Sequence, residues 1–270
     1  MPAILAVPLP ALPEISPRDD LAALIADAWR ALAADQPDLA PARGDILVVT
    51  QKIVSKAEGS VVDLTTVDPR AEAVEFARIW ERDARQVEVV LRESADVLRM
   101  ERGIVISRTK HGFVCANAGV DASNTGRGDL VTLLPDDPDG SARRIRDGVT
   151  ARLNLTTENA PAVIVSDSFG RPWRFGIVDV ALGVAGIAPL VDWRGRPDAD
   201  GRVMHSTIVA VADEICSAAE LAASKTSRQP VVLVRGVEFE ATKEGSSESE
   251  PSEPSVVGDV VMPPEMDLFT

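Results

Sequence analysis

The stretch Val163-Ile164-Val165-Ser166-Asp167-Ser168-Phe169-Gly170-Arg171-Pro172-Trp173-Arg174 passes from an apolar run into crowded polar residues. The β-branched run reads as a buried strand at residues 162–166, and residues 167–174 read as a turn at its end. Within eight residues that turn holds a carboxylate, a hydroxyl, a glycine and two arginines, a set that suits a bound metal and an anion such as phosphate. Asp167 and Ser168 taken alone suit an ordinary turn or helix cap equally well. Pro172-Trp173 tips the balance, because a rigid proline and an indole hold Arg171 and Arg174 in fixed positions.

The pattern recurs upstream. After a Gly44-Asp45 turn, Ile46-Leu47-Val48-Val49 reads as a second buried strand, ending in Thr50-Gln51-Lys52 and continuing to Ser55-Lys56-Ala57-Glu58-Gly59. Lysines beyond a strand end are either solvated or placed to hold nucleotide phosphates. Neither GxxxxGK[ST] nor GxGxxG occurs, so a nucleotide site here has another design. A hairpin pattern at 104–107 and 113–116, with Thr109-Lys110-His111-Gly112 between, leads into the small, polar run from Ala116 to Gly126. By itself that run is an Asn/Gly turn. Beside Asp167, however, its Asp121 supplies a second hard oxygen ligand, and Asn124 adds an amide.

Around these, the spacing predicts a helix capped by Ser16 at Ser16-Pro17-Arg18-Asp19, with Leu21, Leu24, Ile25, Ala28 and Leu32 on one face. A second helix starts near Pro69 with Val74, Ala77 and Trp80 inside, and residues 87–91 read as a strand. A helix from Ser141 carries Ile145, Val149 and Leu153, and residues 178–187 form a glycine-containing strand that something packs against closely. A helix over 206–224 and a buried strand over 231–234 complete the pattern.

Composition sets the class. With 270 residues and 45% hydrophobic content the chain can bury a substantial core, and no apolar run approaches a membrane span. No basic stretch leads into a signal-like segment, so a cytoplasmic location is the expectation. Of the net charge of −14, −8 falls from Glu238 onward, where nine acids face one lysine. That charge argues against a nucleic-acid surface. Cys115 and Cys216 lie far apart, with no CxxC spacing, and read as reduced buried thiols. His111 and His205 are the only histidines, so any metal must be held mainly by oxygen: magnesium, manganese or calcium. The organisation expected is a body over 1–242, a Ser/Glu/Pro-rich segment over 243–255 that cannot order itself, and a segment over 256–270 that docks back on the body.

Taken together, Gly44 to Gly59, Lys110 to Asp121 and Asp167 to Arg174 resemble the coenzyme F-420-0:L-glutamate ligase family, the gamma-glutamyl ligases of deazaflavin coenzyme synthesis. The resemblance runs from Leu12-Pro13 to Asp267-Leu268-Phe269. It implies an α+β fold of two intertwined subdomains, forming a homodimer with the nucleotide site near the subunit interface. It also implies a GTP-dependent ligase that joins L-glutamate to the phospholactyl carboxylate of coenzyme F-420-0 through an acyl phosphate, with further gamma-linked additions. The cofactors implied are two divalent cations, magnesium or manganese, and a monovalent cation such as potassium.

Carried over by position, Asp121 and Asp167 match ligands of one divalent ion, and Ser168 matches the hydroxyl that binds a second. Asp121, Asp167 and Lys56 are thereby the catalytic set. Leu12, Pro13, Glu14, Ile15, Gln51, Lys52, Lys56, Asn124, Ala223, Ser224, Lys225 and Thr226 match nucleotide contacts. Lys225 stands where some members place a Glu or Gln ligand, and an ammonium does not coordinate a cation. His111, Arg171 and Arg174 are candidate contacts to the acidic substrate. Two alternatives stay open on sequence: a ligase of the same fold with another carboxylate acceptor, and a non-catalytic nucleotide- or deazaflavin-binding protein.

Overall fold

The computed structural model describes residues 3–122, 129–223, 228–241 and 254–267. In chain order its main elements are β1 (Leu5–Pro8), α1 (Leu21–Asp35), β2 (Ile46–Thr50), α2 (Gln51–Glu58), β3 (Val61–Asp63), α3 (Ala71–Trp80) and α4 (Ala84–Glu93). Next come β4 (Ser94–Glu101), β5 (Ile104–Thr109), β6 (Val114–Ala116), β7 (Leu130–Thr132), α5 (Pro138–Arg152), β8 (Ala162–Arg171) and β9 (Arg174–Ala185). The last are β10 (Val191–Asp192), β11 (Ile208–Val209), α6 (Val211–Ala222) and β12 (Val231–Arg235).

Five strands in the order β1-β12-β2-β8-β9 make the main sheet, in which only β2 and β8 run parallel. Strand residues alternate between faces, so Leu47 and Val163 join Trp29, Ile25, Ile145 and Val149 on one side. Ile46, Ile164 and Val234 join Ile215, Cys216 and Leu182 on the other. Gly183 permits this closeness: a Cβ there would lie 2.2 Å from the Pro138 carbonyl carbon at the start of α5. The glycine-containing strand therefore has the close neighbour its sequence implied. Between β2 and β8 the chain builds a second unit, with the β3–β7 ribbon, the β4-β5-β6 sheet and α3–α4 closing on Leu64, Phe76, Val87, Val90, Leu91, Val105 and Val131. The α+β class is as expected.

Several local expectations are corrected. β8 does not turn at Asp167: residues 166–170 stay paired with β9, and the turn falls between Arg171 and Arg174, where Trp173 has φ 56°. Residues 87–91 are helical, because short apolar runs do not distinguish strand from helix. Asp83 caps that helix by accepting from the Arg85 amide, and Val87, Val90 and Leu91 share its inner face. The cap of α1 is Asp20, accepting from the Ala23 amide at 3.0 Å, rather than Ser16. In α3, Val74 and Trp80 face outward, and Ala73, Phe76 and Ala77 are the inner stripe. α6 begins at Val211, since Ile208–Val209 pairs with Val191–Asp192. Both cysteines are buried and free.

Residues 254–267 lie against the body. Val256 is fully buried, and Asp139 on α5 accepts from the Ser255 hydroxyl at 2.7 Å, the Val256 amide at 3.3 Å and the Val184 amide at 2.8 Å. No helix among the described residues is long and apolar enough to cross a membrane.

In the second unit, buried Glu88 receives Arg70 through Nε at 2.8 Å and Nη2 at 3.0 Å, and Arg92 through Nε at 2.8 Å. The Arg70 hydrogen bond is the main cause holding this carboxyl down at about 2, against burial, which would raise it. Its folded pKa lies below the ordinary 4.5, so the stabilisation is present above 4.5 and is lost as pH falls through the folded value. The arginines are half exposed and screened, so about 2 kcal/mol is at stake. Glu88→Gln should cost about that much at pH 7 and next to nothing near pH 2, as read by urea melts across pH. An equal loss at both pH values would show that the charge is not the cause.

Candidate active site

Because β2 and β8 run parallel, with Thr50 opposite Ser166, the residues just beyond emerge at the same rim of the sheet. Lys52 leaves β2 on the first turn of α2, and Asp167 continues β8. Asp121 arrives from the second unit, fixed by reciprocal backbone hydrogen bonds with Thr132 of 3.0 and 2.8 Å. Its Oδ2 lies 2.6 Å from Lys52 Nζ. The carboxyl of Asp167 is pushed up to about 7, first by burial, with the charges of Asp179 and Asp121 adding and the Ser168 amide and Lys52 ammonium opposing. Cys115 lies within reach of the same field: burial, then the Asp167 charge, pushes its thiol up to about 12, so it is inert as a nucleophile.

Successive strand residues point to opposite faces, which separates Asp167 from Ser168. The charges of Asp179, Asp121 and Lys52 all reach the Asp167 carboxyl. Ser168 pairs across the sheet with Asp179 of β9, and its Oγ donates to Asp179 Oδ1 at 2.5 Å. This is the α6 side, where Ser217 donates to the Asp179 carbonyl and Asp213 accepts from the Ala181 amide at 2.9 Å. Asp179 was not among the residues the sequence singled out. Only the register of β8 against β9 reveals it.

The nucleotide-side residues are partly assembled. Lys56 Nζ lies 2.5 Å from Glu14 Oε1, joining α2 to the Leu12, Pro13, Glu14, Ile15 segment, whose Ile15 is buried. The buried Gln51 side chain donates to the Leu133 carbonyl and the Ser55 hydroxyl, both at 2.7 Å, and so ties α2 to the second unit. Ala223 ends α6. Asn124, Ser224, Lys225 and Thr226 lie outside the described residues. His111 sits in the β5–β6 turn with Nε2 3.2 Å from the Asp136 carbonyl. Its ring faces Phe113, which meets Phe169 of β8 edge-on at 6.1 Å. Arg171 and Arg174 stand apart, since Arg171 is four residues beyond Asp167 along the strand, roughly 13 Å at 3.3 Å per residue. A cleft lined by Arg43, Arg146, Glu158, Glu238 and Phe239 opens near Gly44 and Ala162, at the opposite end of β2 and β8, and holds none of these groups.

Among the described residues no three His, Cys, Asp or Glu side chains converge as a ready metal set. The donor chemistry nevertheless fits a hard cation. The Asp121 carboxylate, paired with an ammonium, lies within electrostatic reach of the Asp167 carboxyl, which resists ionisation, and magnesium needs only one or two protein carboxylates alongside phosphate and water.

The family profile described as F420-0:Gamma-glutamyl ligase matches residues 11–236. The chain belongs to that family. As a member of the F420-0:gamma-glutamyl ligases it is a ligase, and its curated relatives agree. It is 43% identical over 226 residues to the Coenzyme F420:L-glutamate ligase of Methanothermobacter thermautotrophicus, covering 83% of this chain and 86% of that one. The relative of the same name from Halorubrum lacusprofundi is 42% identical, with 86% of each chain covered. That of Methanocaldococcus jannaschii is 41% identical, with 72% of this chain and 76% of its own covered.

Proposed function

We propose that this chain is a GTP-dependent ligase joining the amine of L-glutamate to the phospholactyl carboxylate of coenzyme F420-0. The observation that carries the reading is the pairing of Asp121, from the second unit, with Lys52 at 2.6 Å, within electrostatic reach of Asp167 on β8, in a chain of this ligase family. A carboxylate is a poor electrophile, so it first takes the terminal phosphoryl group of GTP. A bond forms from the carboxylate oxygen to that phosphorus, and the bridging phosphorus–oxygen bond breaks to release GDP. The glutamate amine then attacks the acyl carbon, loses a proton and expels phosphate. Repetition of the cycle on the new terminal carboxylate gives gamma-linked additions.

Asp121 and Asp167 would hold one divalent cation, magnesium or manganese, and Ser168 a second, and bound there the pair would supply neutralisation of phosphate charge. Lys52 and Lys56 add fixed positive charge, aided by the N-terminus of α2. Glu14 holds the Lys56 ammonium at the mouth of the site until phosphate oxygens take its place. A monovalent cation such as potassium belongs to the same reading, and so does a homodimer. For a homodimer the hairpin tip offers Trp173, Phe175 and Ile177, at 82%, 105% and 52% exposure.

The test combines protein, GTP, magnesium or manganese, L-glutamate and F420-0, with products read by mass. One GDP should appear per glutamyl residue added, and ATP should not replace GTP. Glutamyl addition without GDP release, or GTP left intact with F420-0 unchanged, would overturn the proposal.

A further inference from the structure

Ser168 carries one hydroxyl hydrogen and two lone pairs. That hydrogen is committed: Oγ donates to Asp179 Oδ1 at 2.5 Å, within the short range of a hydrogen bond to a carboxylate. The two residues are register partners on β8 and β9, so the contact is set by the sheet rather than by a loose rotamer. Asp179 is itself held where it stands, by β-pairing and by Ser217 of α6 donating to its carbonyl at 3.0 Å. With its only hydrogen engaged, Ser168 Oγ can accept but no longer donate. It is thereby specialised for a cation and unsuited to a phosphate oxygen, which needs a donor.

We propose that Asp179 is the positioning residue for Ser168, taking its hydroxyl hydrogen so that Oγ acts toward a divalent cation only as an acceptor. This rests on the ligase reading of the site and adds to it a residue that acts through its neighbour. The requirement is an acceptor at Oδ1, not a second charge, so asparagine should serve where alanine cannot.

The experiment is manganese binding to the intact protein without nucleotide, read by the loss of the free-ion electron paramagnetic resonance signal. Thermal melts report on folding. Asp179→Ala should weaken manganese binding by about ten- to a hundredfold, the usual cost of losing a group that orients a ligand. Asp179→Asn should recover most of that loss, because its amide oxygen still accepts from Ser168. Adding Asp179→Ala to Ser168→Ala should cost no more than Ser168→Ala alone.

Wild-type affinity in Asp179→Ala, a defect in Asp179→Asn equal to that of alanine, or additive losses in the double variant would each overturn the proposal. The underlying site reading is checked separately by Asp167→Asn. If the wild type binds manganese and Asp167→Asn does not, the site stands whatever Asp179 does. If the wild type binds none, both fall.

Discussion

Asp167→Asn should lower GTP-dependent glutamyl addition by about a thousandfold, the scale of losing one preorganised electrostatic group from a phosphoryl-transfer site. Asparagine keeps the shape and one oxygen but removes the charge that would hold a cation beside Asp121. Asp167 is where the effect should be largest, because burial makes its charge least replaceable by water. The loss should appear in GDP release and in glutamyl product alike, and raising manganese should restore part of it. A variant retaining more than a tenth of the wild-type rate at ordinary magnesium would remove Asp167 from the mechanism.

Asp45→Ala should be the most destabilising single change away from that site. Asp45 is fully buried at the foot of β2 and takes Arg235 Nε at 2.6 Å and Nη2 at 2.8 Å, while the Ala42 amide donates to it at 2.8 Å. Arg235, at the end of β12, also donates to the Asp38 and Ala40 carbonyls, so one ion pair locks the loop ahead of β2 to the neighbouring strand. Removing one partner of a buried pair costs about 3–5 kcal/mol. Arg235 is a quarter exposed and recovers some hydration, which favours the lower end, about 3 kcal/mol. For a chain of this size that is a fall in melting temperature of roughly 10 °C. Activity at low temperature should persist, since Asp45 lies at the opposite end of β2 from Lys52. A fall of less than about 2 °C, below what even 1 kcal/mol should produce, would show that the pair contributes little.

Much of the fold was readable where burial leaves a one-dimensional trace. Val163-Ile164-Val165 and Ile46-Leu47-Val48-Val49 announce central strands because both of their faces are covered. The extent of β8 was not readable, because what keeps Asp167 to Gly170 extended is pairing to β9, a property of two segments at once. The apolar run at 87–91 misled for a related reason: its helix buries Glu88 within the inner face, and that carboxylate is tolerated there because Arg70 and Arg92 neutralise it. In the site, Asp121, Asp167 and Lys52 were reachable from their chemistry: Lys52 pairs with Asp121, and the charges of both act on the Asp167 carboxyl. Asp179 was hidden, since an acid in an alternating strand looks like any solvent-facing residue until its cross-strand neighbour is known.

The single parallel pair in the main sheet bears on folding kinetics. Ile46 and Ala162 are partners across 116 positions of chain, with the whole second unit looped out between them. Closing so long a loop is entropically slow, and local helices such as α1 and α4 reward the chain long before this contact does. The rim that carries Lys52 and Asp167 therefore exists only once β2 has paired with β8. A chain with its helices formed but this pairing unmade holds Lys52 and Asp167 apart, and so carries neither a half-built nucleotide pocket nor a stray cation trap.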